Sequence, residues 1–228
     1  MNYRHEYKFT VSELDLVKIR YRLEPLMRLD DHHADDFYTI RSLYFDDYFD
    51  TCLSENEAGV DNRHKYRIRL YDGELDYIRL ERKDKLRGMT GKTMEPITPE
   101  EIYPYIEGTN EAMGTELRDE LYMLQVKKGM RPKCIVEYDR LAFIEDVGNV
   151  RITFDMNVRG SQQVDRFLDF SEDFMVPAMD PGLHVLEVKY DEVLPTYLLQ
   201  ALDLGYLHRQ SVSKYGVVRN AIKEGGLY

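Results

Sequence analysis

Charged and apolar positions alternate along much of this chain. In HKYRIRLYDG, running from His64 to Gly73, Lys65, Arg67 and Arg69 stand two residues apart, with Tyr66, Ile68 and Leu70 between them. Successive side chains of a β-strand point to opposite faces, so the segment predicts a strand with one cationic and one apolar face. The design recurs four times. Arg4, Glu6 and Lys8 oppose Tyr3, His5, Tyr7 and Phe9, and Arg79, Glu81 and Lys83 oppose Ile78 and Leu80. Arg151, Thr153, Asp155 and Asn157 oppose Val150, Ile152, Phe154, Met156 and Val158, and Glu187 and Lys189 oppose Leu186 and Val188.

Alternating or β-rich segments predict about eight strands, near 3–9, 37–45, 64–72, 76–84, 133–144, 149–158, 166–171 and 184–190. Helical periodicity predicts helices at 12–28, 98–107, 114–128, 194–205 and 213–224, with Ser12 as an N-cap. Turn signals at Asp72-Gly73 and Gly148-Asn149 favour antiparallel pairing. No repeat, low-complexity tract or linker interrupts the chain, so residues 1–228 read as one domain of the α+β class.

An ordinary antiparallel sheet buries its apolar face and wets the other. Here the polar faces are rich in Arg and Lys with few Glu, and several helices are available to cover apolar strand faces from outside. An eight-stranded antiparallel sheet can close into a barrel with polar faces lining the interior. The expectation is therefore a closed antiparallel eight-stranded β-barrel with flanking helices and a charged tunnel. Alternation tells which face is charged, not which way it points.

Charge sharpens this picture. The chain carries a net −11, which argues against a general nucleic-acid or membrane-surface binder. Between Arg63 and Lys92, however, ten bases meet five acids, so positive charge is concentrated while the rest of the chain is acidic. That distribution suits a small, highly charged anion in a confined site. Two like charges about 4 Å apart repel by roughly 4 kcal/mol at an effective dielectric near 20, so a cationic tunnel needs resident counter-charge. Polyvalent phosphate supplies it: Arg contacts phosphate oxygens in pairs, Lys adds a compact charge, and a few carboxylates can hold a bridging divalent metal.

The remaining composition adds little. Cys52 and Cys134 lie far apart without metal-site spacing and read as packing residues. No apolar run approaches the 18 to 20 residues of a membrane span, and MNYRHEYKF lacks a signal-peptide core, so a cytoplasmic location is the default. His32-His33 with Asp35-Asp36 reads as a solvated loop, and Phe45-Asp46-Asp47 as a helix cap. KLRGMTGK, from Lys85 to Lys92, lacks the phosphate-loop pattern and reads as a mobile basic loop at the tunnel mouth. The 18 tyrosines read mostly as packing, with a tunnel tyrosine stacking adenine an unassigned option.

Taken in order, RHEYKF, SLYFDD, KYRIRLY, LERKDK, VEYDRLAF, VRITFD, LEVKYD and SVSKY resemble the VTC domain, the polyphosphate-polymerase domain within the triphosphate tunnel metalloenzyme superfamily. The resemblance implies a metal-dependent enzyme that transfers the γ-phosphoryl of ATP to inorganic polyphosphate. It implies catalytic roles for Lys8, Arg67, Arg69, Lys83, Arg140, Arg151, Lys189 and Lys214, with Arg67, Arg69 and Lys83 on the nucleotide phosphates. Glu187 would hold Mn²⁺ or Mg²⁺. Arg140 and Lys214 rest on the resemblance alone.

One departure is informative. The related CYTH proteins open with E-x-E-x-K, whereas Arg4 takes the first position here and leaves Glu6 and Lys8. A two-metal site is thereby disfavoured and a single ion on Glu187 and phosphate oxygens expected. The SPX domain and membrane segments of eukaryotic members are not among these residues, which leads to the expectation of a stand-alone form of the bacterial type. ATP and inorganic polyphosphate are the expected partners, without nucleic acid. Two other readings stay open: a tripolyphosphatase or nucleoside triphosphatase, in which Glu6 or Glu81 would orient water, and a non-catalytic polyphosphate-binding module.

Overall fold

The computed structural model describes residues 3–30, 37–207 and 212–224, so the predicted His32 to Asp36 loop lies outside the described residues. In chain order the strands are β1 (His5–Ser12), β2 (Arg28–Leu29), β3 (Tyr38–Asp46), β4 (Arg63–Tyr71), β5 (Ile78–Leu86), β6 (Met89–Ile97), β7 (Arg131–Glu145), β8 (Val150–Ser161), β9 (Val176–Pro177) and β10 (Leu183–Tyr190). The helices are α1 (Glu13–Leu23), α2 (Thr51–Glu57), α3 (Pro99–Glu107), α4 (Glu116–Lys128), α5 (Thr196–Leu202) and α6 (Lys214–Glu224).

Eight long strands form one antiparallel sheet in the order β1-β10-β8-β7-β3-β4-β5-β6. The sheet curls until its two edge strands approach each other, but it is not the closed barrel expected from the sequence. The path ends at β1 and β6, which meet only through the bridge of Arg4 with Thr90 and its two backbone hydrogen bonds of 3.0 Å. The cause lies in β6, which carries Gly91 and Pro96, composition that belongs to an edge strand.

The apolar strand faces point outward, beneath the helices. Tyr66, Ile68, Leu70 and Leu80 pack under Ile102 and Tyr105 of α3 and Leu117 and Leu121 of α4. Phe9, Ile152, Phe154 and Leu186 pack under Ile19 and Leu23 of α1 and Leu198 of α5. Each such side chain, fully buried, contributes roughly 1.5–3 kcal/mol, so much of the fold's stability lies outside the tunnel. The alternating charged faces therefore point inward, the direction that alternation alone left open. A third cluster sets Tyr215 and Val218 of α6 against Tyr44, Cys134 and Val136. Both cysteines are buried and unpaired, as packing residues are.

Three local expectations need correction. The tract from Lys85 to Lys92 is a hairpin rather than a mobile loop: Leu86 pairs with Met89 across Arg87 and Gly88, whose φ of 51° and 74° suit a tight two-residue turn. The segment 166–171 is not a strand. It follows a 3-10 turn, Val164–Arg166, with Phe167 fully buried, and its Phe167 and Asp169 carbonyls accept hydrogen bonds from buried Arg41. Helix α2 is absent from the predicted helices, although its cap was legible. Asp46 accepts hydrogen bonds from the Cys52 and Leu53 amides at 2.8 and 3.0 Å, and Asp47 from the Thr51 amide at 2.9 Å.

Candidate functional site

Seven strands and two helices aim polar side chains into one cavity of about 310 Å³, the lower end of small-ligand pockets. Its lining carries ten Lys or Arg residues against three carboxylates, Glu6, Asp84 and Glu187. Strand register sets the pattern: Lys8 of β1 lies opposite Glu187 of β10, and Glu6 opposite Lys189.

At this end the charges compensate one another. Glu187 accepts from Lys214 at 2.7 Å and from Lys189, with Lys8 at 3.2 Å and Arg140 at 3.8 Å. Behind it Asp155, fully buried, takes Arg140 in a two-bond clamp at 2.6 and 2.8 Å and also pairs with Lys214. Burial alone would raise the Glu187 carboxyl, but Lys189, Lys214, Lys8 and Arg140 outweigh it and hold it well below the ordinary carboxylate range. Glu6 is held down in the same way against burial, by Lys8, Lys83 and Lys189.

The middle of the wall belongs to β4. Arg67 donates to the buried Glu81 at 2.7 Å and to the Tyr44 hydroxyl at 2.8 Å, while Arg69 donates to Ser42 and the Tyr138 hydroxyl, both at 3.1 Å. Lys83 of β5 reaches across the open seam to both oxygens of Glu6 at 2.9 Å. Burial, reinforced by Lys8 and Lys189 and only partly countered by Glu6 and Glu187, pushes the Lys83 ammonium down to about 8.

The far end is different. Among the described residues Lys65 hydrogen-bonds only neutral groups, Asn56 of α2 at 2.7 Å and Ser213 at 2.8 Å. Burial drives its ammonium well below the lysine range, with Lys8, Lys83 and Arg63 adding repulsion. A cavity so charged is built to receive an anion.

Of the residues singled out from the sequence, Lys8, Arg67, Arg69, Lys83, Arg140, Lys189, Lys214 and Glu187 all line this cavity. Arg151 does not: opposite Lys189 on the neighbouring strand β8, it is held by Asp30 and by the Tyr38 hydroxyl at 2.8 Å. Arg4 also lies outside, at the seam, with Asp191 at 2.9 Å. The cavity adds Lys65, which the alternation marked on the cationic face, and Arg63 and Lys85, which extending that alternation on β4 and β5 would have found. Asn56, near the end of α2, carries no signal in the sequence, whereas Ser213 lies in the SVSKY string with no role assigned to it.

Carboxylate oxygens are the right donors for a hard divalent cation, and Glu187 with Glu6 would hold it. Among the described residues no group of three or more His, Cys, Asp or Glu side chains forms a metal cluster, so phosphate oxygens would have to complete its shell. No helix among the described residues is long and apolar enough to cross a membrane.

A curled antiparallel sheet with helices outside and a cationic lumen within defines a triphosphate-tunnel fold. The VTC domain family matches residues 3–222, and the chain belongs to that family. Among solved structures, a candidate adenylate cyclase from Bacillus halodurans is similar over 98% of this chain and 97% of its own, with a TM-score of 0.55 and 14% identity. A Pyrococcus horikoshii protein matches 94% of this chain and 97% of its own, with a TM-score of 0.49 and 14% identity. The triphosphatase of the Mimivirus capping enzyme matches 90% of this chain and 87% of its own, with a TM-score of 0.40 and 14% identity. At such identity these likenesses concern the fold alone. No curated protein matches the sequence significantly.

Proposed function

We propose that this protein is a metal-dependent polyphosphate polymerase, which transfers the γ-phosphoryl of ATP to the end of an inorganic polyphosphate chain in the tunnel. The observation that carries the reading is the imbalance of ten cationic side chains against three carboxylates around one enclosed cavity. In the transfer, a terminal chain oxygen attacks the γ-phosphorus, the bond to the bridging oxygen breaks, and ADP leaves. Phosphoryl transfer proceeds through a loose transition state, so alignment and charge neutralisation suffice. Arg67, Arg69 and Lys83 would clamp the nucleotide phosphates, with Lys8, Arg140, Lys189 and Lys214 completing the wall. A divalent cation, Mn²⁺ or Mg²⁺, on Glu187 would neutralise charge on the phosphate oxygens.

The hydrolytic alternative needs a group that orients or deprotonates water, and an effective base has a pKa near the working pH. Glu6 gives both oxygens to Lys83 and is held well below the carboxylate range, burial notwithstanding, by its lysines. Glu81 is fully buried, and burial is likewise outweighed there, by Arg67, Arg69 and Lys92. Neither suits deprotonation, and both are engaged by cations, whereas an ionised phosphate needs no base. The test is to incubate the chain with ATP and Mn²⁺, beside a Glu187→Gln control, and to resolve the products by chain length. A ladder of long chains that disappears in the control supports the polymerase. Orthophosphate alone would make the protein a triphosphatase, and tight binding without turnover a binding module.

A further inference from the structure

We propose that Arg63, Lys65 and Lys85 form a second phosphate subsite, which holds phosphates of a linear chain beyond the third and makes the tunnel prefer chains longer than triphosphate. The inference rests on the phosphate-tunnel reading above and adds the chain length that the tunnel selects.

Register supplies the first observation. On adjacent strands β4 and β5, Arg63 lies directly opposite Lys85, and Lys65 directly opposite Lys83. Directly opposed residues have Cβ atoms about 4.5–5.5 Å apart, and like charges so placed are destabilising. Two consecutive cationic rungs therefore face the cavity, and an anion between the members of each rung would turn repulsion into attraction.

Compensation supplies the second. Lys8, Lys189, Lys214 and Arg140 share Glu187 and Asp155, and Lys83 has Glu6. Among the described residues, neither Arg63, Lys65 nor Lys85 has a carboxylate within ion-pair distance. Arg63 donates to the Val60 carbonyl, and Lys65 uses two of its three N–H donors on Asn56 and Ser213. Asp61, whose charge acts on Arg63 and Lys85, spends its oxygens on the Arg87 and Gly88 amides at 2.6 and 2.7 Å. The Asn56 and Ser213 contacts hold the Lys65 amine in place without a counter-charge, so a bound anion favours the charged form that burial opposes.

Length supplies the third. Arg63, Lys65, Arg67 and Arg69 form one row along β4, and six residues of strand span roughly 20 Å. The two P–O–P links of a triphosphate fall well short of that row. A ligand engaging Arg69 and Arg67 at one end and the two cationic rungs at the other must be a longer chain.

Calorimetric titration of the full chain, without nucleotide or divalent metal, compares tripolyphosphate with a size-fractionated longer linear polyphosphate. Wild type should bind the longer chain more tightly. Lys65→Met should lose on the order of tenfold for the longer chain, the size of one charge-assisted hydrogen bond, and stay within about twofold for tripolyphosphate. Lys85→Met, at a half-buried position near the hairpin turn, should show the same split without touching the Lys65 cradle, and a thermal melt of each variant checks its fold. Equal loss for both chains, loss for neither, or a wild type indifferent to length overturns the subsite. A wild type that binds neither chain overturns the phosphate-tunnel reading, and the subsite with it.

Discussion

Replacing Glu187 by Gln removes the charge on which the compensated end of the tunnel turns, and the structure gives the size of the effect. Lys8 lies 3.2 Å from Glu187 and Lys214 2.7 Å, with Lys189 and Arg140 also in contact. At an effective dielectric of about 20, one such contact at 3 Å carries a gross attraction of about 5 kcal/mol. Much of that is offset by desolvation, but breaking a buried pair by removing one partner costs about 3–5 kcal/mol, because the other charge is left behind. A second route gives a similar figure. A lysine can escape the uncompensated site by releasing its proton, which at pH 7 costs about 5 kcal/mol from an ordinary pKa near 10.4. Glu187→Gln should therefore cost about 3–5 kcal/mol of stability, or roughly 10 °C in melting temperature for a chain of this size.

The sign reverses for binding. Glu187 repels an incoming polyanion, so in the presence of chelator the variant should bind tripolyphosphate more tightly than wild type. The ligand should then recover more of the variant's melting temperature than it adds to wild type. Thermal unfolding of both proteins with and without tripolyphosphate, in chelator, measures this. A variant melting within about 2 °C of wild type, or gaining no more from tripolyphosphate, would refute the idea that Glu187 is the counter-charge of this cluster.

Two further outcomes follow from particular groups. Lys83 has its free-state pKa pushed down to about 8, and a bound polyanion favours its charged form, so binding takes up a proton above that pH. Affinity for tripolyphosphate should fall as pH rises through about 8, and Lys83→Met should lessen that fall in titrations across pH 6.5 to 9.5, whereas a fall unchanged in the variant would refute the role of Lys83. Asp46, fully buried, accepts from the Asp47, Cys52 and Leu53 amides and the Tyr215 hydroxyl, tying α2 and α6 to β3. Asp46→Ala should cost about 3 kcal/mol by chemical denaturation, since hydrogen bonds to a charged group contribute about 1.5–3 kcal/mol each and their donors stay buried.

Where a local rule and the tertiary fold agree, the sequence was readable. The charged faces of β1, β4, β5, β8 and β10 followed from a period of two, and α3 and α4 from their helical periodicity. Strand β6 escaped because Gly91 and Pro96 obscure any strand signal, and its conformation is imposed by the register with β5. The segment 166–171 misled because RFLDFS alternates like a strand. In the structure Phe167 is buried in the outer core, while its carbonyl and that of Asp169 accept from Arg41, a partner 126 or more residues away. Arg151 illustrates a further limit: it has the inward parity and stands opposite the cavity-lining Lys189, yet β8 lends no side chain to the cavity and Asp30 and the Tyr38 hydroxyl hold the guanidinium. Parity gives the face; it does not say which strands border the cavity.

The uneven distribution of counter-charge bears on what the tunnel is for. Two apolar clusters lie beneath the outer helices and a third packs α6 against the inner face of β3 and β7, so the fold is stabilised by apolar burial and has no structural need for ten cationic side chains around the lumen. Were those charges present only to be neutralised internally, carboxylates would accompany them along the whole wall. They accompany them at β1, β10 and α6, where Glu187, Asp155 and Glu6 hold the lysines and arginines in a fixed array before any ligand arrives. Around Arg63, Lys65 and Lys85, among the described residues, no carboxylate lies within ion-pair distance, because Glu6 is taken by Lys83 and Asp84 by His64 and Arg82. A preset array lowers the reorganisation needed to seat reacting phosphates. An uncompensated stretch lowers the free energy of the complex with a long anion by relieving its own repulsion. A protein that only bound single triphosphates would gain nothing from the second region, and a protein that only stored polyanions would gain nothing from the first.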